Sequence, residues 1–168
     1  MPLATEYKLP KTKDASEFED MVCDVCQKKY KREFQRYGRQ GQRQNGVDII
    51  SVDSRELICV QCKNYVITPS DVNNIIDEIK SFTQTISKFI IATSASRDVK
   101  LQDYIVNVNQ TYKNDFEILI MFWEEIETII AQNNELLMKY YPLINKQTAD
   151  EMSILINEFN QMVKKYSI

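Results

Sequence analysis

The sequence predicts an α/β fold: a mixed sheet flanked by helices, in the order α-β-β-α-β-α-β, with two further helices at the C-terminal end. Three observations lead there. Two β-rich runs, about 47–52 and 57–63, flank the polar stretch Asp53-Ser54-Arg55-Glu56 and read as an antiparallel hairpin. Lys88 to Thr93 (KFIIAT) and Phe116 to Trp123 (FEILIMFW) are short continuous apolar runs, the pattern of strands covered on both faces. The segments between these strands, and everything after Trp123, repeat their apolar residues with helical spacing.

Taken in order, residues 1–14 are polar, contain two prolines and read as a loose arm. Ser16 opens a helix with Glu19 in capping-box position, and Phe18, Met21, Val22 and Val25 form its apolar stripe to about Glu33 or Phe34. YGRQGQRQNG follows and holds all three glycines of the chain, Gly38, Gly41 and Gly46. It reads as a loop that needs unusual backbone angles or a close approach. Thr68-Pro69 is an N-cap and first-turn proline, and Val72, Ile75, Ile76, Ile79 and Phe82 keep helical spacing to about residue 82. Val99, Leu101, Tyr104, Ile105 and Val108 mark a helix from about Asp98 to Val108.

The first C-terminal helix is expected at about 124–141, ending near Pro142. The second is expected from Thr148, capped with Glu151, with Met152, Leu155, Ile156, Phe159, Met162, Val163 and Tyr166 along its apolar face. The organisation predicted is thus an arm (1–14), an α/β domain (15–125) and a helical extension (126–168). The last stripe comes after the sheet is complete. It is expected to serve an interface, with packing against its own core as the alternative.

A chain of 168 residues suffices for one domain with a real core, and 43% hydrophobic with 27% charged residues is ordinary for a soluble globular protein. A net charge of -3 points to no nucleic-acid partner by itself, so such a partner has to be read from charge distribution. No secretory apolar region or bilayer-length run is seen, so a cytoplasmic protein with reduced cysteines is expected, with no membrane partner. There is no histidine. Ser-His-Asp, Cys-His and His-metal chemistries are excluded, as are nucleases with a histidine general base.

The hairpin carries residues that its stability does not need. With the turn at 53–56, Val52 opposes Leu57 and Asp48 opposes Gln61. Directly opposed residues place their Cβ atoms about 4.5–5.5 Å apart on one face, and Lys63, two residues beyond Gln61, shares that face. A three-residue turn would shift the register by one and disperse them. An aspartate, an amide oxygen and a lysine on one patch suit phosphodiester hydrolysis. Mg²⁺ takes a few oxygen ligands and keeps several waters, and an ammonium assists as a point charge. Glu19 is the candidate second carboxylate. Each residue also has a plainer role open to it: Asp48 as a turn cap, Lys63 snorkelling from a strand end, Glu19 closing its capping box.

Phe18-Glu19, the Gly-rich loop, GVDI at Gly46 to Ile49 and VQCKNY at Val60 to Tyr65 resemble the Mrr-type branch of the PD-(D/E)xK restriction-endonuclease-like nucleases. That branch has glutamine where others have an acid before x-Lys, as in Gln61-Cys62-Lys63, and FIIATSASRD at 89–98 is similar to the strand and small-polar turn that follow. The likeness covers about 15–125. It implies a restriction-endonuclease-like mixed sheet and Mg²⁺- or Mn²⁺-dependent cleavage of double-stranded DNA, in defence against foreign DNA. Asp48 would bind metal with the backbone carbonyl of Cys62, Gln61 would complete or orient the site, Lys63 would act on water and phosphate, and Glu19 would support the metal or its water. Restriction enzymes, and effector domains fused to or associated with regulatory NTPases, are the settings it implies, with cutting of both strands suggesting a homodimer.

From Gln27 to Gly46 there are seven basic residues, Lys28, Lys29, Lys31, Arg32, Arg36, Arg39 and Arg43, against one acid, Glu33. Lys28, Lys29, Arg32, Arg36, Arg39 and Arg43 are the candidate DNA-binding residues, as phosphate contacts. A solvated helix face running into a loop is the alternative. Cys23-x-x-Cys26 and Cys59-x-x-Cys62 have the spacing of a zinc site. Residues three apart in a strand point to opposite faces, however, so buried thiols are expected instead. Against a metal-dependent endodeoxyribonuclease stand two rivals: an inactive nucleic-acid-binding or scaffold module of the same fold, and a structure-specific nuclease of junctions or transposon ends.

Overall fold

A computed structural model describes residues 8–39, 41–42, 44–111 and 115–166, with the side chains of 145–153 and 166 outside the description. The chain divides into two compact units, Met1–Ile129 and Ile130–Ile168.

The first unit is the mixed α/β structure the pattern predicts. Helix α1 (Ala15–Tyr30) leads into strands β1 (Phe34–Arg36), β2 (Ile49–Ser51) and β3 (Ile58–Lys63). Helix α2 (Pro69–Ile79), strand β4 (Lys88–Thr93), helix α3 (Val99–Thr111), strand β5 (Glu117–Met121) and helix α4 (Trp123–Ala131) follow. The five strands form one sheet in the order β1-β2-β3-β4-β5. The β1–β2 and β2–β3 pairs are antiparallel, and the β3–β4 and β4–β5 pairs are parallel.

Helices α2 and α3 are the crossovers between the parallel strands. Their residues Val72, Ile75, Ile79, Leu101, Ile105 and Val108 join Cys59, Phe89, Ile91 and Ile118 in one core cluster. Each large apolar side chain fully buried there stabilises the fold by roughly 1.5–3 kcal/mol. Helix α1 packs on β1 and β3 and buries Phe18, Met21, Val22 and Val25. Thr68 caps α2 as expected, and its box is closed by Asp71: Asp71 N donates to Thr68 Oγ1 at 3.3 Å, and Thr68 N donates to Asp71 Oδ2 at 2.7 Å.

The structure departs from the sequence reading at four places. Helix α1 stops at Tyr30 because Lys31 adopts a left-handed conformation (φ 50°, ψ 47°), and Phe34, expected near the helix end, instead starts β1 opposite Ser51. The cap of α1 is Asp14, whose Oδ1 accepts from Glu17 N at 2.8 Å, so Ser16 and Glu19 form no capping box. The part of the arm that is described, 8–14, is anchored. Leu9 is buried with its amide donating to Glu127, Asn64 Nδ2 donates to Thr12 O at 3.2 Å, and Lys11 lies 5.9 Å from the Trp123 ring centroid. The single helix expected at 124–141 is split into α4 and α5 (Asn134–Tyr140). Helix α5 ends just before Pro142 as expected, but Pro142 then starts α6 (Pro142–Tyr166), so Thr148 lies inside a helix. Leu155, Ile156, Phe159, Met162 and Val163 of its stripe are exposed. Met152 and Tyr166 fall among the side chains outside the description.

The hairpin register agrees with the sequence reading. Ile49 pairs with Val60 and Ile50 with Cys59, the offset that sets Asp48 against Gln61.

Candidate active site

Asp48 sits where the β2–β3 ladder ends. Its carbonyl accepts from Tyr37 N at 2.7 Å, and its amide donates to Val60 O at 2.9 Å. The next donor along β3, Cys62 N, is taken by the Asp48 side chain: Oδ2 accepts it at 2.7 Å. The carboxylate thus continues the ladder in place of a backbone carbonyl, which fixes its position. Of the predicted pair, Cys62 contributes its amide to Asp48.

Gln61 is 4% exposed. Its Nε2 donates to Oε2 of Glu78 on α2 at 3.1 Å, while its Oε1 is buried and has no hydrogen-bond partner. A buried amide oxygen without a donor costs about 1–3 kcal/mol. Lys63 is half-buried at the end of β3, and its charge acts on Asp48. Burial raises the Asp48 pKa above the ordinary aspartate value, against the lowering effects of the Cys62 amide, Lys63 and Arg36, and the charge of Glu78 adds to the rise.

Glu19 comes from α1. Burial, and then the charge of Asp48, raise its pKa, while Arg36 opposes the rise. Arg36 of β1 is paired with Glu19 and donates to Asp20 Oδ1 at 3.3 Å and to Ser16 Oγ at 2.9 Å. The site therefore holds Asp48, Gln61 and Lys63, with Glu19 and Arg36 on the α1 side and Glu78 on the α2 side. Glu78 was not singled out from sequence, because it lies on the exposed side of α2 beside Asp77. The one signal was Gly46. It has φ 76°, and a Cβ there would meet Glu78 Cβ at 3.0 Å.

Among the described residues no group of three His, Cys, Asp or Glu side chains is gathered to hold a metal. The donors present are hard oxygens: Asp48, the unpartnered Gln61 Oε1 and Glu19. That set fits Mg²⁺, which is held by one or two carboxylates and keeps several waters.

Several candidate DNA contacts have partners within the protein. Lys29 pairs with Glu125 and lies 5.5 Å from the Tyr30 ring centroid. Arg32 is tied down: Nε and Nη2 donate to the Asp53 carboxylate at 2.8 and 2.6 Å, and Nη2 also donates to Glu56 O at 2.9 Å. Arg36 is held as above. Lys28 belongs to the last turn of α1 and Arg39 to the loop after β1, while Arg43 lies outside the described residues.

The cysteines separate as strand geometry demands. Cys59 lies in the core cluster with α2 and α3, whereas Cys62 neighbours Cys23 and Cys26 of α1. Burial pushes the Cys26 and Cys59 thiols up to about 12.

No family model matches the chain, and no curated protein matches its sequence. Among solved structures it is similar to the MspJI restriction endonuclease in complex with a 27-mer oligonucleotide, at 12% identity and a TM-score of 0.45, over 67% of this chain and 27% of that one. The chain thus spans about a quarter of that protein's length. At this level of likeness the functional reading rests on the site's own residues. Among the described residues, no helix is long and apolar enough to cross a membrane.

Proposed function

We propose that this chain is a divalent-cation-dependent endodeoxyribonuclease of the Mrr-type, restriction-endonuclease-like kind. The observation that carries the reading is Gln61 Oε1: a buried, unpartnered carbonyl oxygen in the strand register of Asp48, two residues before Lys63. A cation there would remove the cost of leaving that oxygen unpaired.

The chain's residues divide the work as follows. The Cys62 amide holds Asp48 Oδ2, which leaves Oδ1 to meet a cation. Gln61 Oε1 is the second donor, with the Cys62 carbonyl beside it and Glu19 supporting from α1. When bound, Mg²⁺ or Mn²⁺ supplies neutralisation of phosphate charge and activation of water. Lys63 holds the attacking water or the developing charge on the phosphate oxygens as a point charge. Arg36 balances Glu19 and Asp20, so that two carboxylates share one fixed guanidinium. Double-stranded DNA is the substrate, with Arg39 as a phosphate contact.

The test is cleavage of supercoiled, linear and branched DNA with Mg²⁺, Mn²⁺ or EDTA. Cation-dependent, EDTA-sensitive cleavage of plain duplex supports the reading. Cleavage of branched DNA alone makes the chain a structure-specific nuclease. Binding without cleavage under every cation makes it an inactive binding module.

A further inference from the structure

We infer that Glu78 is a positioning residue of this site: its carboxylate orients the Gln61 amide so that the carbonyl oxygen, and not the amide nitrogen, faces the cation. The inference rests on the nuclease reading and deepens it. An amide has one acceptor end and one donor end, and burial alone does not choose between them. An ionised carboxylate only accepts hydrogen bonds. Glu78 Oε2 accepts from Gln61 Nε2 at 3.1 Å, so the NH₂ end is turned to α2 and Oε1 is left pointing elsewhere, buried and without a donor. The cost of that unpartnered oxygen is the mark of an orientation imposed by the Glu78 carboxylate.

The backbone is shaped around the same contact. Gly46, two residues before Asp48, has φ 76°, and a Cβ added there would come within 3.0 Å of Glu78 Cβ and 3.4 Å of Glu78 Oε2. The loop that delivers Asp48 therefore packs on Glu78 through a residue without a side chain. The charge of Glu78 also reaches Asp48. A carboxylate one step removed thus supplies negative charge that glutamine at position 61 lacks, while the amide supplies the donor atom. Partners of this kind behind a metal ligand typically change metal affinity by about 10–100-fold when removed.

The experiment measures Mn²⁺ affinity by electron paramagnetic resonance of free Mn²⁺, with a short uncleavable phosphorothioate duplex present. The variants are Glu78→Gln, Glu78→Ala and the double exchange Gln61→Glu with Glu78→Gln. Far-UV circular dichroism and melting are recorded for each, and Glu78→Gln remains informative if Glu78→Ala does not fold. In Glu78→Gln the two amides can pair in either sense, so Mn²⁺ affinity is expected to fall about 10-fold or more. The double exchange puts a carboxylate at 61 that accepts from an amide at 78 and keeps the net charge, so affinity is expected to return to within about threefold of the unaltered chain. Single variants that bind Mn²⁺ as the unaltered chain does, or a double exchange that restores nothing, overturn the inference while leaving the nuclease reading standing. An unaltered chain that binds no Mn²⁺ overturns the cation site itself.

Discussion

Replacing Asp48 with asparagine changes one atom and removes one charge, and the structure says which atom ends up where. Cys62 N donates to Oδ2 of Asp48 at 2.7 Å. In the variant only the amide oxygen can accept that bond, so it takes the Cys62 side and the NH₂ group turns toward the place a cation would occupy. The hydrogen bond, worth about 1 kcal/mol, survives. What is lost is the anionic ligand, with a donor group in its place. The fold should therefore persist while cleavage falls by on the order of 10²–10³, or roughly 2.7–4 kcal/mol of transition-state stabilisation. Lys63→Ala should lose a similar factor by removing the ammonium beside the phosphate. The assay is nicking of supercoiled plasmid at saturating Mg²⁺, with circular dichroism and duplex binding measured alongside. Asp103→Asn, on the exposed surface of α3, is the control. Asp53→Asn, in the hairpin turn, is unsuitable as a control, since Asp53 anchors Arg32. If Asp48→Asn and Lys63→Ala nick as fast as Asp103→Asn, Asp48 and Lys63 are not at the reacting phosphate.

Three further outcomes are expected. Hydrogen bonds from Arg32, then from Arg55, hold the Asp53 carboxyl well below its usual range. Its contribution to stability is thus complete above the unfolded aspartate pKa of about 3.9 and is lost as pH falls through the lower folded value. Asp53→Asn should melt below the unaltered chain at pH 7, with the gap closing only in strong acid, and a gap that is constant with pH refutes the linkage. Gly46→Ala should cost at least about 1–2 kcal/mol, read as a lower urea midpoint, because a left-handed φ and the Glu78 side chain both oppose a Cβ. The Cys26 and Cys59 thiols, buried and pushed up to about 12, should resist a thiol reagent at pH 8 until the chain is denatured. Rapid labelling of either in the native protein, located by peptide mapping, would show that the core opens there.

Much of this protein is legible from local pattern alone. KFIIAT is β4 to the residue, Thr68-Pro69 starts α2, and a turn at 53–56 sets Asp48 against Gln61. These are local matters. Periodicity reports which side of an element is covered, capping chemistry reports where four backbone donors need acceptors, and a hairpin's register follows from the residues that join its strands.

Other features needed the chain to be folded. FQR is too short for a period, and β1 exists because Ser51, Ile50 and Ile49 lie beside it. The basic segment reads as a phosphate track until Arg32 meets Asp53 and Arg36 meets Glu19, partners 21 and 17 residues distant. The described arm is held by Glu127 and Asn64, which no local rule connects to it. Glu78 looks like any solvated helix residue until α2 crosses beside β3 and its carboxylate reaches Gln61. The sequence alone determined which backbone groups would pair and which side chains would be offered at the end of β3. Which charges neutralise one another, and which end of the Gln61 amide faces the site, is a matter of distance between elements, and only the tertiary structure decided it.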